Sequence, residues 1–333
     1  AEDDPAAALR IALPDKLKQG LPKSIRDLLE QNMEAEGELR VLIEDYDDPS
    51  LSRYHYLLTT PQGQRFSLHF ADQPAKLQSG SKVRVKGLSL KESVLRVTGK
   101  NDGMILVDDS KSSLLMLESN GEGAVVHTRS VSAGGLNIFG GRKTLVFLVN
   151  FHDQSTNKPW STSSIDGLVF GTVSNFFYEN SYQQAWLDGD VAGWYTVPVD
   201  SDDCDIGRIS SEARSDAANA GINLSSYNHY VYIFPSMPCG FGGIADVGGN
   251  PTEAWINGNP NLKKIAHEIG HNFGLRHSHA MECGATTLGD NCSFPAYGDT
   301  ADVMGWITTT AHVNAFQKNR LGWLNSSATP PVT

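Results

Sequence analysis

The first 203 residues contain no cysteine; the four in the chain are Cys204, Cys239, Cys283 and Cys292. None forms a Cys-x-x-Cys pair, which argues against a thiolate zinc site. An even number without metal spacing suits two disulfides and an oxidising compartment, with buried free thiols in a cytosolic protein as the alternative. Four cysteines allow three pairings; the short loop favours Cys283–Cys292 and leaves Cys204 with Cys239. Long apolar runs are also missing. None reaches the roughly 18 residues of a membrane-spanning helix, so no span is expected. Basic charge is scarce, with 27 Lys+Arg against 38 Asp+Glu and a net charge of −11, which argues against a nucleic-acid partner. Residues 1–140 hold 17 against 20, and the remainder 10 against 18, so the second half carries most of the acidity. That balance suits a soluble extracellular enzyme. The opening AEDDPAAALR shows no basic-then-apolar leader, so a signal peptide is expected to be absent or already removed.

The periodicity that is present divides the chain in two. Residues 14–34 carry Ile25, Leu28 and Leu29 at helical spacing. The period then becomes two: ELRVLIEDY, RYHYLLTT, QRFSLHF, SKVRVKGL and SVLRV read as five short strands separated by DDPS, PQG and QSG turns. Five such strands suggest a small OB-like antiparallel barrel, giving an N-terminal domain over 1–125. Near-balanced charge and the lack of a stacking-aromatic run argue that it does not bind nucleic acid. Residues 99–141 are rich in turn signals and read as a connection, with the linker proper at 126–141. From Arg142 strands and helices alternate: RKTLVFLVNF, a helix near 165–184, GWYTVPV, a helix near 208–220 and HYVYIFP. This pattern implies an α+β domain over 142–325, a sheet with helices packed on it. Residues 326–333 read as the start of a C-terminal linker.

The chemistry concentrates in HEIGHNFGLRHSH, residues 267–279. Pro260 and Asn259 offer a helix start, and Leu262, Ile265, Ile269 and Phe273 give an apolar face. His267 and His271 are one helical turn apart, so two imidazoles can reach one zinc ion, while Glu268 sits beside the ion as a base for its water. Gly274 can stop the helix at positive φ, and His277 can return as a third ligand, leaving a fourth position open for water. His279 is two residues out of register and is expected outside the ligand set. A solvated histidine-rich helix is the bland alternative, and the added glycine and third histidine count against it.

These residues, followed by DVMGW with Met304, resemble a metzincin zinc peptidase; NSYQQAWLDGDVAGWYTVP, CGFGGIADVGG, EAWIN, AYGDTADVMG and NAFQKNRLGWL narrow the likeness to the gametolysin family. The resemblance covers about 142–325 and implies a twisted mixed sheet, an active-site helix and a methionine turn beneath the metal. It implies a secreted zinc endopeptidase in which Glu268 activates the water on one catalytic zinc held by His267, His271 and His277, with Gly274 and Met304 structural. By the same likeness GGIADVGG is an edge strand on which an extended substrate adds, with Gly243, Ile244 and Ala245 in contact, and Tyr297 shapes the pocket or simply packs in the core. Two departures stand out. The position two after Met304 is Trp306, not the tyrosine that some metzincins use as an extra ligand, and the N-terminal region lacks a cysteine with which to silence the metal. Latency, if the N-terminal domain enforces it, needs another group such as a carboxylate, or steric blocking.

The expected partners are a protein or peptide substrate and an intramolecular N-terminal domain, inhibitory, chaperoning or accessory, in a monomer. DSDDCD, residues 200–205, offers oxygen ligands for Ca2+ without the spacing of a calcium loop, and a solvated acidic turn is the simpler reading. A competing function makes the N-terminal barrel a binding module on a metal-binding adhesion protein with little proteolysis; the intact Glu268 argues against it.

Overall fold

The computed structural model describes residues 8–10, 12, 15–26, 29–71, 74, 77–89, 103–108, 113–117, 123–125, 138–287, 289–305 and 310–324. The chain divides into two units: residues 1–42 with 54–132, and residues 43–53 with 133–333. The short stretch 43–53 therefore belongs with the second unit, although the chain on either side of it belongs to the first. The expected strand SVLRV and the linker and tail residues 126–137 and 325–333 lie outside the described residues.

Among the described residues of the first unit the expected helical segment is broken into pieces. Two short helices, α1 (Asp15–Gln19) and α2 (Lys23–Arg26), flank Gly20 and Pro22, and strand β1 (Gln31–Tyr46) already begins where helix was expected. The glycine and proline break the helical period, and QNMEAEGE lacks an apolar face to pack as a helix. β2 (Arg53–Thr59), β3 (Arg65–Phe70) and β4 (Ser81–Ser89) fall on the alternating runs. The stretch read as a connection holds further strands, β5 (Gly103–Val107), β6 (Leu114–Leu117) and β7 (Gly123–Val125). The order is β7-β6-β4-β5-β3-β2-β1, with an additional β4–β1 pairing that runs from Gln31↔Ser89 to Leu39↔Ser81. Leu39, Val41, Leu58, Leu68, Val83, Val85 and Ile105 are among its buried apolar residues.

The second unit is mixed α+β. Its strands β8 (Gly140–Phe151), β9 (Ala185–Val197), β10 (His229–Phe234), β11 (Phe241–Asp246) and β12 (Thr252–Asn257) lie in the order β11-β12-β10-β8-β9. β8, β10 and β12 run parallel, β9 is parallel to β8, and β11 is antiparallel to β12. Strand β9 is longer than GWYTVPV because the preceding AWLDGDVA also alternates between buried and open positions. The central strands are buried on both faces, as β-strands sandwiched by helices must be.

Alternation sends Val146 and Leu148 of β8, Val231 and Ile233 of β10, and Ala254 and Ile256 of β12 into one core with Val169, Val173, Phe177, Ile265, Ile269 and Phe273. A helical run α3 (Thr162–Asp166) leads into a π-helical stretch Gly167–Val173, which gives Val169 and Val173, and α4 (Ser174–Asn180), which gives Phe177; Ile265 and Ile269 come from α6 (Leu262–Asn272) and Phe273 is its C-cap. Between them, helix α5 (Ile206–Asn219) supplies Arg214, which donates to Tyr232 Oη at 2.9 Å and pairs with Glu253. Phe147, Tyr232 and Trp255 form an aromatic ladder, with ring centroids 4.8 and 5.6 Å apart. Helix α7 (Ala315–Leu321) follows the site loop. Disulfides join Cys204 to Cys239 and Cys283 to Cys292.

Candidate metal centre

Helix α6 carries the site. It starts two residues later than expected: Asn261, not Asn259, is the cap, because its Oδ1 reaches the Lys264 amide at 3.0 Å. Its end follows the glycine argument. Gly274 has φ +91°, its amide donates to His271 O at 2.7 Å, and the Leu275 amide donates to Gly270 O at 3.0 Å. These paired bonds close the last turn and redirect the chain, which brings His277 back to the helix.

His267, His271 and His277 converge. The Nε2 atoms of His267 and His271 are 3.1 Å apart, and the ring of His277 lies 5.3 and 4.9 Å from theirs. His267 Nδ1 meets Val303 O at 2.7 Å and His271 Nδ1 meets Leu275 O at 2.9 Å. A carbonyl can only accept, so Nδ1 carries the hydrogen on both rings, and the neutral rings turn their Nε2 lone pairs inward. Beneath the helix, Met304 is fully buried, and a Cβ on Gly270 would collide with its sulfur. Asp302 fixes that turn: its Oδ1 accepts the Met304 amide at 2.6 Å and its carbonyl the Gly305 amide at 2.9 Å. Trp306 lies outside the described residues. His279 is exposed, with Nδ1 3.0 Å from His277 O, and stands apart from the cluster.

A fourth side chain completes the group. Asp45, near the end of β1 and part of the second unit, places Oδ1 2.8 Å from His277 Nε2 and Oδ2 3.3 and 3.2 Å from the Nε2 atoms of His267 and His271. The four ligand-type atoms lie within 4.8 Å of one another, and all four residues are buried. Burial would raise the Asp45 pKa, but the charges of His277 and His267 outweigh it and hold the carboxyl well below its usual range. Burial lowers His277 to about 3 and also lowers His271; at His267 the Asp45 carboxylate overcomes burial and raises the ring. Asp45 Oδ2 has no hydrogen-bond partner among the described residues. Inward imidazole lone pairs facing a buried carboxylate are a donor set for a divalent cation, and the residues fit one.

Glu268 lies beside this cluster. A Cβ on Gly243 would collide with its carboxylate, so the glycine in β11 leaves the room that Glu268 occupies. Burial first and the Asp45 charge second push its pKa well above the usual carboxylate range, against the pull of Lys264. Tyr297, at φ +61°, packs its ring 3.6 Å from that of His277 and donates its hydroxyl to Asp45 Oδ1. A groove of about 380 Å³ reaches this point, lined by Asp47, Gly242, Asn259, Lys263, Lys264 and Glu268.

Strand β11 is not an edge. Gly243, Ile244 and Ala245 pair with Ile256, Trp255 and Ala254 of β12 on one side, and β1 is the hydrogen-bonded neighbour on the other. In DSDDCD, Asp205 caps α5 through the Arg208 amide at 2.9 Å, and Cys204 is disulfide-bonded. Among the described residues the group able to hold a metal is the one built by Asp45 and the three histidines. Spacing could not reveal Asp45, because a carboxylate at the end of an apolar strand looks like the start of a solvated turn.

Histidines pinned by carbonyls, open toward a groove and accompanied by a buried glutamate, define the metal-dependent hydrolase class. Residues 166–331 match the model of the gametolysin peptidase M11 family. Through that domain the chain belongs to the gametolysin family of metalloproteases. Comparison with curated proteins gave no match.

Proposed function

We propose that the chain is a secreted zinc endopeptidase whose metal ligands are His267, His271 and His277 and whose base is Glu268. The observation that carries this reading is the convergence of three inward Nε2 atoms beside a buried glutamate. When bound, zinc polarises the scissile carbonyl and lowers the pKa of water toward neutrality. Glu268 takes the proton from the attacking water and delivers it to the leaving amine. Gly243 holds Glu268 in place by leaving it space, and Met304 and Asp302 support the backbone that anchors His267. An extended substrate lies along β11 in the place that β1 occupies here, once β1 has left, where backbone hydrogen bonding to a strand can hold it in register. Two disulfides support an extracellular setting.

The N-terminal unit is an OB-like barrel acting as a prodomain, a reading supported by the β4–β1 pairing that links the two ends of the β1-β2-β3-β5-β4 order. The test is casein cleavage by the zinc-loaded chain with and without a chelator, followed by N-terminal sequencing of the products. Chelator-sensitive cleavage accompanied by loss of the N-terminal unit is expected. Cleavage that persists without metal would refute the reading.

A further inference from the structure

We infer that Asp45 is the fourth metal ligand of this chain and that the segment carrying it keeps the full-length protein latent. The inference rests on the zinc reading above but adds to it a residue, a site occupancy and a form of control.

The distances carry it first. A tetrahedral ion with bonds of about 2.0–2.1 Å sets its ligand atoms about 3.3 Å apart. The distances here are 3.1 Å between the two helix imidazoles, 3.3 and 3.2 Å from Asp45 Oδ2 to them, and 2.8 Å from Asp45 Oδ1 to His277 Nε2, so both carboxylate oxygens face the three rings at ligand-to-ligand spacing. A carboxylate so placed would take the position that the attacking water needs. Chemistry carries it second. Three inward imidazole nitrogens and a buried carboxylate are a complete donor set that one divalent cation satisfies at once. Asp45 Oδ2 has no other partner among the described residues.

The segment is built for this position. Tyr297 donates to Asp45 Oδ1, the Tyr46 amide donates to Ser52 Oγ at 3.0 Å, and Arg53 pairs with Glu44 at 2.7 Å, so residues around Asp45 are fixed on both sides. The same strand is the hydrogen-bonded neighbour of β11, the place proposed for substrate. One stretch of chain therefore takes both the water's corner and the substrate's strand position. It belongs to the second unit, yet it is continuous at both ends with the first, so removing the N-terminal unit removes the ligand with it.

The test uses the full chain loaded with Co2+, its integrity checked by mass, and azide as a small anion that binds an open metal position. Azide should leave the visible spectrum of the native chain unchanged and shift that of Asp45→Ala. Zinc-loaded Asp45→Ala should cleave casein about tenfold faster or more, the factor reflecting how rarely the native segment leaves. An azide response of equal size in both chains, or in neither, overturns the inference. If azide behaves as expected but Asp45→Ala does not cleave casein, the ligand assignment stands, and the same zinc-loaded chain is assayed after proteolytic removal of its N-terminal unit; no cleavage there sinks the peptidase reading. Should Asp45→Ala fail to fold, Asp45→Asn takes its place, and an azide response in the intact native chain is enough to overturn the inference.

Discussion

Acid should unfold the second unit through His229, a residue outside the metal cluster. This histidine opens β10, is 2% exposed, and sits between Thr252 Oγ1 at 2.6 Å and Arg142 Nε at 3.4 Å, its ring 5.6 Å from Phe273 at the end of the ligand helix. Burial, reinforced by the Arg142 charge, lowers its pKa from 6.5 to about 3. The folded protein therefore keeps His229 neutral while the unfolded chain protonates it below pH 6.5. The stability this neutral ring contributes is present above the unfolded pKa and is lost as pH falls toward the folded one. At about 1.4 kcal/mol per pKa unit, a drop from pH 7 to about 4.5 removes about 3 kcal/mol, and a drop to pH 3, where the folded ring also begins to protonate, about 4 kcal/mol. His229→Asn keeps a donor for Thr252 Oγ1 but cannot take up the proton. The assay is urea unfolding with chelator present, followed by tryptophan fluorescence; all six tryptophans lie between Trp160 and Trp323, so the signal reports the second unit. Asparagine's packing cost is the same at both pH values and cancels when each protein is compared with itself. The native chain should lose about 3 kcal/mol more than His229→Asn between the two pH values. Equal losses would refute the assignment of acid lability to this ring.

Other perturbations separate structure from chemistry. Gly243→Ala should abolish most casein cleavage by displacing Glu268 while leaving zinc content and thermal midpoint close to native, as read by metal analysis and calorimetry; loss of zinc instead would contradict the packing. Gly274→Ala places a side chain at φ +91°; it should cost about 1–2 kcal/mol and weaken zinc binding through His277. Replacing Cys204 and Cys239 with serine opens a loop of 35 residues and should cost about 4 kcal/mol, against about 2–3 for the 9-residue Cys283–Cys292 loop, measured by urea unfolding.

What the sequence made legible was local. The spacing His267, Glu268, His271, Gly274, His277 is a statement about one helix and its exit, and the helix delivers it because capping and the positive-φ turn depend on neighbours in sequence. The alternating runs of β2, β3 and β4 and the short apolar run of β10 were readable for the same reason. The misreadings were of two kinds. Ile25 falls in the short helix α2, but the breaks at Gly20 and Pro22 and the start of β1 at Gln31 keep the run 14–34 from being one helix. GGIADVGG has the look of an edge strand, but whether a strand lies at an edge depends on what the rest of the chain places beside it. Asp45 belongs with the second kind: Tyr297 meets it across a separation of 252 residues, and no local pattern encodes a contact of that span.

The central claim is that the three histidines hold a catalytic metal for which Glu268 is the base. Its most direct test compares Asp45→Ala with the double variant Asp45→Ala, Glu268→Ala for zinc content and casein cleavage on the same preparations. Both should bind one zinc ion per chain, and only the chain retaining Glu268 should cleave. Equal cleavage by the two, or zinc bound by neither, would contradict it.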